Sequence, residues 1–145
     1  MDILGYIGAA VCMGIAAIGS AIGIGIAGQG AIGAWKRCYL NNKPAPFILT
    51  VFAGAPLTQT IYGFLLMKVT LMPKVISGEM ASGTALGIGI ASGLAMCMSA
   101  IAQGKAGAAG SDALGETGKG FAQYIMVVGL CESVALFAMV FGMIA

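Results

Sequence analysis

The chain alternates long apolar runs with short polar breaks. No charged residue occurs between Asp2 and Lys36, and the first run extends from about Ile3 to Trp35. The break KRCYLNNKPAP (Lys36–Pro46) carries three positive charges, an Asn-Asn pair and two prolines, the composition of a loop. A second run covers about Phe47 to Met72, followed by the connection MPKVISGE (Met72–Glu79). A third covers about Met80 to Ile101 and predicts a helix continuing to Ala109. The connection GSDALGETGKG (Gly110–Gly120) follows, and the last run goes from Lys119 to the C-terminus. At about 1.5 Å per residue, each run is long enough to cross a hydrocarbon layer of roughly 30 Å. The pattern predicts an all-α membrane protein of four transmembrane helices, with both termini on one side.

The runs differ in character. Gly19, Gly23, Ala27 and Ala31 recur every fourth residue in the first, as do Gly83, Gly87, Ala91 and Ala95 in the third. Small residues at that spacing let helix backbones approach closely in a membrane. Runs two and four hold Phe47, Phe52, Tyr62 and Phe64, and Phe121, Tyr124, Phe137 and Phe141. The chain also repeats itself. IAGQGAIGA around Gln29 resembles IAQGKAGAA around Gln103, and PLTQTIYGF around Gln59 stands opposite LCESVALF around Glu132, at offsets of 74 and 73 residues. This divides the chain into two tandem helical hairpins, 1–72 and 73–145, the second carrying Glu132. The thin Gly-rich helices are expected at a crowded centre and the bulky ones outside.

Composition agrees with a membrane solvent. The chain is 59% hydrophobic and 8% charged, against about 25% charged for a soluble domain. A net charge of +2 makes no case for nucleic-acid binding. There is no His, hence neither the commonest metal ligand nor the usual general base. Cys12, Cys38, Cys97 and Cys131 lie far apart and read as free thiols. MDILGYIG lacks the positive n-region of a signal peptide, so the first run reads as a permanent span. The connections after runs one and three carry Lys36, Arg37, Lys43, Lys105 and Lys119, five of the seven basic residues. The positive-inside rule then puts those loops in the cytoplasm and the termini outside. Two GxGxxG matches, Gly23–Gly28 and Gly28–Gly33, lie inside an apolar helix with no acid until Glu79, so they carry no dinucleotide fingerprint. No nucleophile is paired with a base, so the chain reads as non-catalytic by itself.

Glu132 is the one charged side chain after Lys119, and it falls near mid-depth of the last span. A carboxylate there is costly and marks a functional site by default. Thr58, Gln59 and Tyr62 in the second run, and Gln103 near the end of the third, each offer an oxygen. Such groups must find partners in hydrocarbon. A cluster of oxygens with one carboxylate suits a hard monovalent cation, and Na+ fits the charge count. Pro56 cannot bond to the carbonyl four residues back, which loosens the second helix locally. Tyr62, one turn after Thr58 and Gln59, shares their face and can hydrogen-bond the carboxylate. Two rival readings remain open on the residues alone. The polar groups can be interhelical hydrogen-bonding glue. Alternatively the carboxyl, neutral in low dielectric, can carry H+ itself.

Three stretches, PLTQTIYGFLL (Pro56–Leu66), SAIAQGKAGAAG (Ser99–Gly110) and the span around Glu132, make the chain resemble the rotor-ring proteolipid, the two-hairpin K or c subunit, of V-type and archaeal A-type ATPases. The likeness covers essentially the whole chain, and P-x-T-Q-x-x-Y-G-F followed by IAQGK and a mid-helix Glu is similar to the sodium-binding version. The resemblance implies that Glu132 carries the ion-binding carboxylate, that Thr58, Gln59 and Gln103 supply side-chain oxygens, that the Ala55 carbonyl completes the site, and that Tyr62 holds Glu132. Gln59 stands in hairpin one where Glu132 stands in hairpin two, implying one ion per chain. Gln29 replaces an acidic residue found in some relatives.

The resemblance also implies a homo-oligomeric ring in the plasma membrane, surrounded by lipid, against a stator subunit bearing a basic residue. Central stalk subunits turn with the ring, and ATP hydrolysis or synthesis occurs elsewhere in the complex. A proton-translocating rotor of the same family is the nearest alternative. A small four-helix multidrug-type exporter fits less well, because such proteins place their acid in the first span and lack the tandem repeat. A structural or pore-forming proteolipid is the third reading.

Overall fold

The computed structural model describes residues 3–145. Four helices are long and apolar enough to cross a membrane: α1 (Ile3–Leu40), α2 (Leu49–Ser77), α3 (Ser82–Thr117) and α4 (Phe121–Ile144). No strand occurs among the described residues.

The connections are shorter than the sequence suggested, because polar residues at the helix ends stay helical. α1 and α3 have 38 and 36 residues. At about 1.5 Å per residue both exceed the hydrocarbon thickness by several turns. Lys36 and Arg37 lie in the last turns of α1, and Lys105, Asp112 and Glu116 lie on α3, so the first loop is confined to residues 41–48 and the third to 118–120. Exposed Arg37 and Asp112 pair across the two helices. α3 ends at Gly118, whose N–H closes back on the Leu114 carbonyl at 2.8 Å, with φ +66°. Glycine takes that left-handed cap without the Cβ penalty.

Pro73 does not start a connection. It sits inside α2, which runs to Ser77 and turns at Gly78. Proline leaves the carbonyl four residues back without its donor. The turn just before it, Leu66–Leu71, is a wider π-turn in which Met72 N–H reaches Met67 O, and this absorbs the mismatch. Earlier in the same helix, Pro56 coincides with a tight 3-10 turn over Ala55–Leu57.

α1 and α3 form the most extensive helix pair. Their backbones touch: a methyl added at Gly89 would overlap the Gly8 carbonyl, and one at Gly104 would overlap the Gly23 backbone. The α1 stripe Gly19–Gly23–Ala27–Ala31 is buried as expected. The α3 stripe needs correction. Gly83, Gly87 and Ala91 are not buried, and the buried line instead runs through Ala85, Gly89, Gly93, Ala100 and Gly104. Spacing by four was satisfied on two faces of α3, and the face with glycine at both backbone crossings is the one α1 takes.

α4 lies at the periphery. Its buried residues are Val128, Ala135 and Gly142, one narrow line seven residues apart, while Met126, Leu130, Val134, Phe137 and Phe141 are exposed. Two apolar clusters form the interior. One gathers Ala9, Cys12, Ala16, Leu66, Leu71, Met96 and Ala135. The other gathers Ala31, Ala34, Leu49, Phe52, Leu114 and Val128.

Candidate functional site

The residues between those clusters are polar on every helix. Ser20 lies between Ala16 and Ala31 on α1, and Gln59 between Phe52 and Leu66 on α2. Ser99 and Gln103 lie between Met96 and Leu114 on α3, and Glu132 between Val128 and Ala135 on α4. A polar layer thus crosses the bundle at one level. Glu132 is the twelfth residue of the 24-residue α4.

Gln59 and Gln103 have no exposed surface, and Ser99 is 4% exposed. Buried amides in such surroundings must be paired. Gln59 Nε2 donates to Gln103 Oε1 at 2.9 Å and to Ser99 Oγ at 3.2 Å. Gln103 Nε2 donates to the Val128 carbonyl at 3.0 Å, and Ser99 Oγ donates to the Cys131 carbonyl at 2.7 Å. The two carbonyls come from the α4 turn just before Glu132. Thr58 Oγ1 lies 3.2 Å from the Ala55 carbonyl and 3.3 Å from Gln59 Oε1, so its one hydrogen can serve either oxygen. The Ala55 carbonyl also accepts the Thr58 backbone N–H within the 3-10 turn.

Half-buried Glu132 receives a hydrogen bond from Tyr62 Oη at 2.7 Å. That distance is at the short end for a hydroxyl donor and lies in the charge-assisted range. Tyr62 is in the first hairpin and Glu132 in the second, so this contact and the Gln59 bonds tie the hairpins together.

All six residues singled out from the sequence (Ala55, Thr58, Gln59, Tyr62, Gln103 and Glu132) therefore belong to one polar layer. Within it, Glu132 is bonded to Tyr62 and not to Thr58 or to either glutamine. Pro56 is buried, and the Phe52 carbonyl it leaves without a donor lies against Gly107, where a methyl would come within 2.9 Å of it.

Two serines went unnoticed in the sequence. Ser99 joins Gln59 to α4, and Ser20 Oγ accepts the Thr60 backbone N–H at 3.2 Å. Ser99 opens the stretch SAIAQGK four residues before Gln103, on the same helix face, and that spacing was the available signal. Nothing local distinguishes Ser20.

No group of three His, Cys, Asp or Glu side chains capable of holding a metal exists among the described residues. The layer instead offers one carboxylate with neutral amide, hydroxyl and carbonyl oxygens. Such a donor set matches a hard cation of single charge in character, and equally accommodates a proton on the carboxyl.

Residues 86–145 match the family model of the ATP synthase C subunit. Over 142 residues, 98% of its length, the chain is 35% identical to the K subunit of the A-type ATP synthase of Methanocaldococcus jannaschii. It spans 61% of that relative's length.

Proposed function

Through its second hairpin the chain belongs to the ATP synthase C-subunit family, and we propose that it is a ring-forming rotor subunit of an A- or V-type rotary ATPase that carries Na+ on Glu132. The observation that carries this reading is the polar layer. One mid-span carboxylate shares it with the oxygens of Thr58, Gln59 and Gln103 and the carbonyl of Ala55, the whole layer lying between two apolar clusters.

Ion binding at this level explains how a carboxylate on a lipid-facing helix is tolerated. With Na+ bound, the site is neutral and Glu132 passes lipid at little cost. Without it, the charged carboxylate is held back from hydrocarbon. A basic residue on a stator subunit would receive the empty carboxylate, and half-channels on either side would load and unload ions. Rotation of a homo-oligomeric ring, with central stalk subunits attached, then couples ion flow to ATP hydrolysis or synthesis on other subunits. The basic ends of α1 and α3 support a cytoplasmic position for the first and third loops, with the termini outside, in a plasma membrane.

A proton-carrying rotor is the second reading. It is favoured by the direct Tyr62–Glu132 bond, which leaves the carboxyl bonded to neither glutamine.

Reaction with a hydrophobic carbodiimide, which requires a protonated carboxyl, separates the readings. The purified protein is treated at fixed pH with and without sodium, and modification of Glu132 is followed by mass spectrometry. Slowing by sodium is expected. Reaction indifferent to sodium means a proton rotor. No reaction at all means that Glu132 is structural, and the proposal fails.

A further inference from the structure

We propose that Ser99 is a positioning residue for the ion site: it fixes which end of the Gln59 amide faces the ion. The inference rests on the reading of Glu132, Thr58, Gln59 and Gln103 as a sodium site, and it adds a residue with no oxygen offered to the ion.

The argument is one of hydrogen-bond polarity. An amide side chain has an oxygen end and a nitrogen end of nearly the same shape, and its neighbours decide which faces where. Ser99 has one hydroxyl hydrogen. The Cys131 carbonyl can only accept, and at 2.7 Å it takes that hydrogen. Ser99 therefore presents only lone pairs to Gln59, and at 3.2 Å the nitrogen of Gln59 must be the atom facing it. The same logic holds at Gln103. The Val128 carbonyl can only accept, so Gln103 Nε2 faces it at 3.0 Å and Gln103 Oε1 is left facing Gln59. Both hydrogens of Gln59 Nε2 are then committed, one to Ser99 Oγ and one to Gln103 Oε1.

Gln59 Oε1 is consequently turned the other way, to Thr58. The Thr58 hydrogen has an alternative acceptor in the Ala55 carbonyl, so Gln59 Oε1 can give both lone pairs to a cation without stranding a donor. The polarity of the cluster is set by two backbone carbonyls of α4, at Val128 and Cys131. The helix that carries Glu132 thereby also orients the neutral oxygens around it. Ser99 is 4% exposed, so water cannot substitute for it.

Removing Ser99 frees one Gln59 hydrogen in a buried site and lets the amide swing or flip, placing a donor where the cation needs an acceptor. The bond between Tyr62 and Glu132 does not pass through Ser99. Positioning therefore predicts a split. The carbodiimide reaction of Glu132 without sodium keeps its rate, while the sodium concentration that halves that rate rises.

The experiment compares the parent protein with Ser99→Ala, Ser99→Thr and Ser99→Cys, each purified in detergent, with sodium chloride as the added ion and choline chloride as the control. For Ser99→Ala the half-protecting sodium concentration is expected to rise about 10-fold, the upper range for one net hydrogen bond, with the sodium-free rate unchanged. Ser99→Thr keeps the hydroxyl and is expected within about 2-fold of the parent, a shift below that of one ordinary hydrogen bond. Should Ser99→Ala fail to fold, Ser99→Cys decides. Its thiol is nearly the same size but a weak hydrogen-bonding group, and a rise of several-fold is expected. Half-protection unchanged in Ser99→Ala, or in Ser99→Cys where that variant stands in, overturns the positioning role while leaving the sodium site intact. A shift accompanied by an equal change in the sodium-free rate makes Ser99 merely structural. If sodium does not protect the parent protein, the sodium site and this inference fall together.

Discussion

Tyr62 of the first hairpin donates its hydroxyl hydrogen to Glu132 of the second at 2.7 Å, the one hydrogen bond that the mid-span carboxylate makes to another helix among the described residues. It holds Glu132 toward α2 and away from the outward face of α4, where Leu130 and Val134 are exposed. Tyr62→Phe removes the donor and little volume. A hydrogen bond to a charged group contributes about 1.5–3 kcal/mol, and the half-buried setting places this one at the low end. The expected outcome is a roughly 10-fold weaker protection by sodium and a faster carbodiimide reaction of Glu132 without sodium. Both are read by mass spectrometry, and an unchanged reaction rate would show that the hydroxyl does not hold the carboxylate.

Glu132→Gln keeps the shape of the side chain and removes its charge. Glutamine in the middle of a span is far less costly than a carboxylate, so the protein is expected to fold and purify at parental yield. Carbodiimide labelling is expected to disappear entirely, and ion-coupled ATPase activity of the complex that contains it is expected to be lost. Residual labelling elsewhere on the chain would show that another carboxyl is accessible from lipid.

Much of this could be read along the chain, because the membrane leaves few choices for an apolar run of this length. The four helices, the thin α1 and α3 at the crowded centre and the peripheral α4 follow from apolar length and residue size. Glu132, Gln59 and Gln103 stood out because an amide or a carboxylate in such a run has no other ready explanation. What could not be read was direction. Gly83–Gly87–Ala91 and Ala85–Gly89–Gly93 both fit a small-residue stripe, and only the course of α1 across α3 selects the second. Pro73 looked like a helix end, because a sequence gives no sign that a π-turn ahead of it will absorb the missing donor. Ser99 was invisible as a functional group because its role lies in hydrogen-bond polarity, a property of partners on two other helices.

The backbone crossings of α1 and α3 give a stability prediction. A methyl at Gly104 would overlap the Gly23 backbone, and one at Gly89 the Gly8 carbonyl, with no flexible side-chain end to move aside. Gly104→Ala and Gly89→Ala are therefore expected to destabilise by about 1–3 kcal/mol, the range for overpacking a close contact. Gly129→Ala on α4 has open space around it and is expected to be neutral or slightly stabilising. Thermal unfolding of the three variants in detergent checks the contrast. Equal losses in all three would mean that glycine serves helix flexibility here and not close approach.

Arg37 and Asp112 pair where α1 and α3 run on beyond the hydrocarbon thickness, with their side chains 47% and 59% exposed. Two charges at that exposure are screened by water and salt, and holding two long side chains in place offsets much of their attraction. A double-mutant cycle of Arg37→Ala and Asp112→Ala is expected to give a coupling of no more than about 1 kcal/mol, shrinking as salt is raised. The single variants are expected to fold. Their larger effect should be on topology, since Arg37 is one of the basic residues that retain this end of the hairpins on one side of the membrane. Cysteine accessibility at Cys38 is a poor reporter, because that side chain is buried with its thiol near the Gly115 carbonyl at 3.5 Å. A cysteine introduced at exposed Asn42, in the first loop, reads the same topology directly. With Arg37→Ala alone, Lys36 and Lys43 remain and the loop is expected to stay on its original side. Neutralising Arg37, Lys36 and Lys43 together is expected to produce a mixed population labelled from both sides. A uniform population in the triple variant would show that helix packing, and not the charge of this loop, sets the orientation.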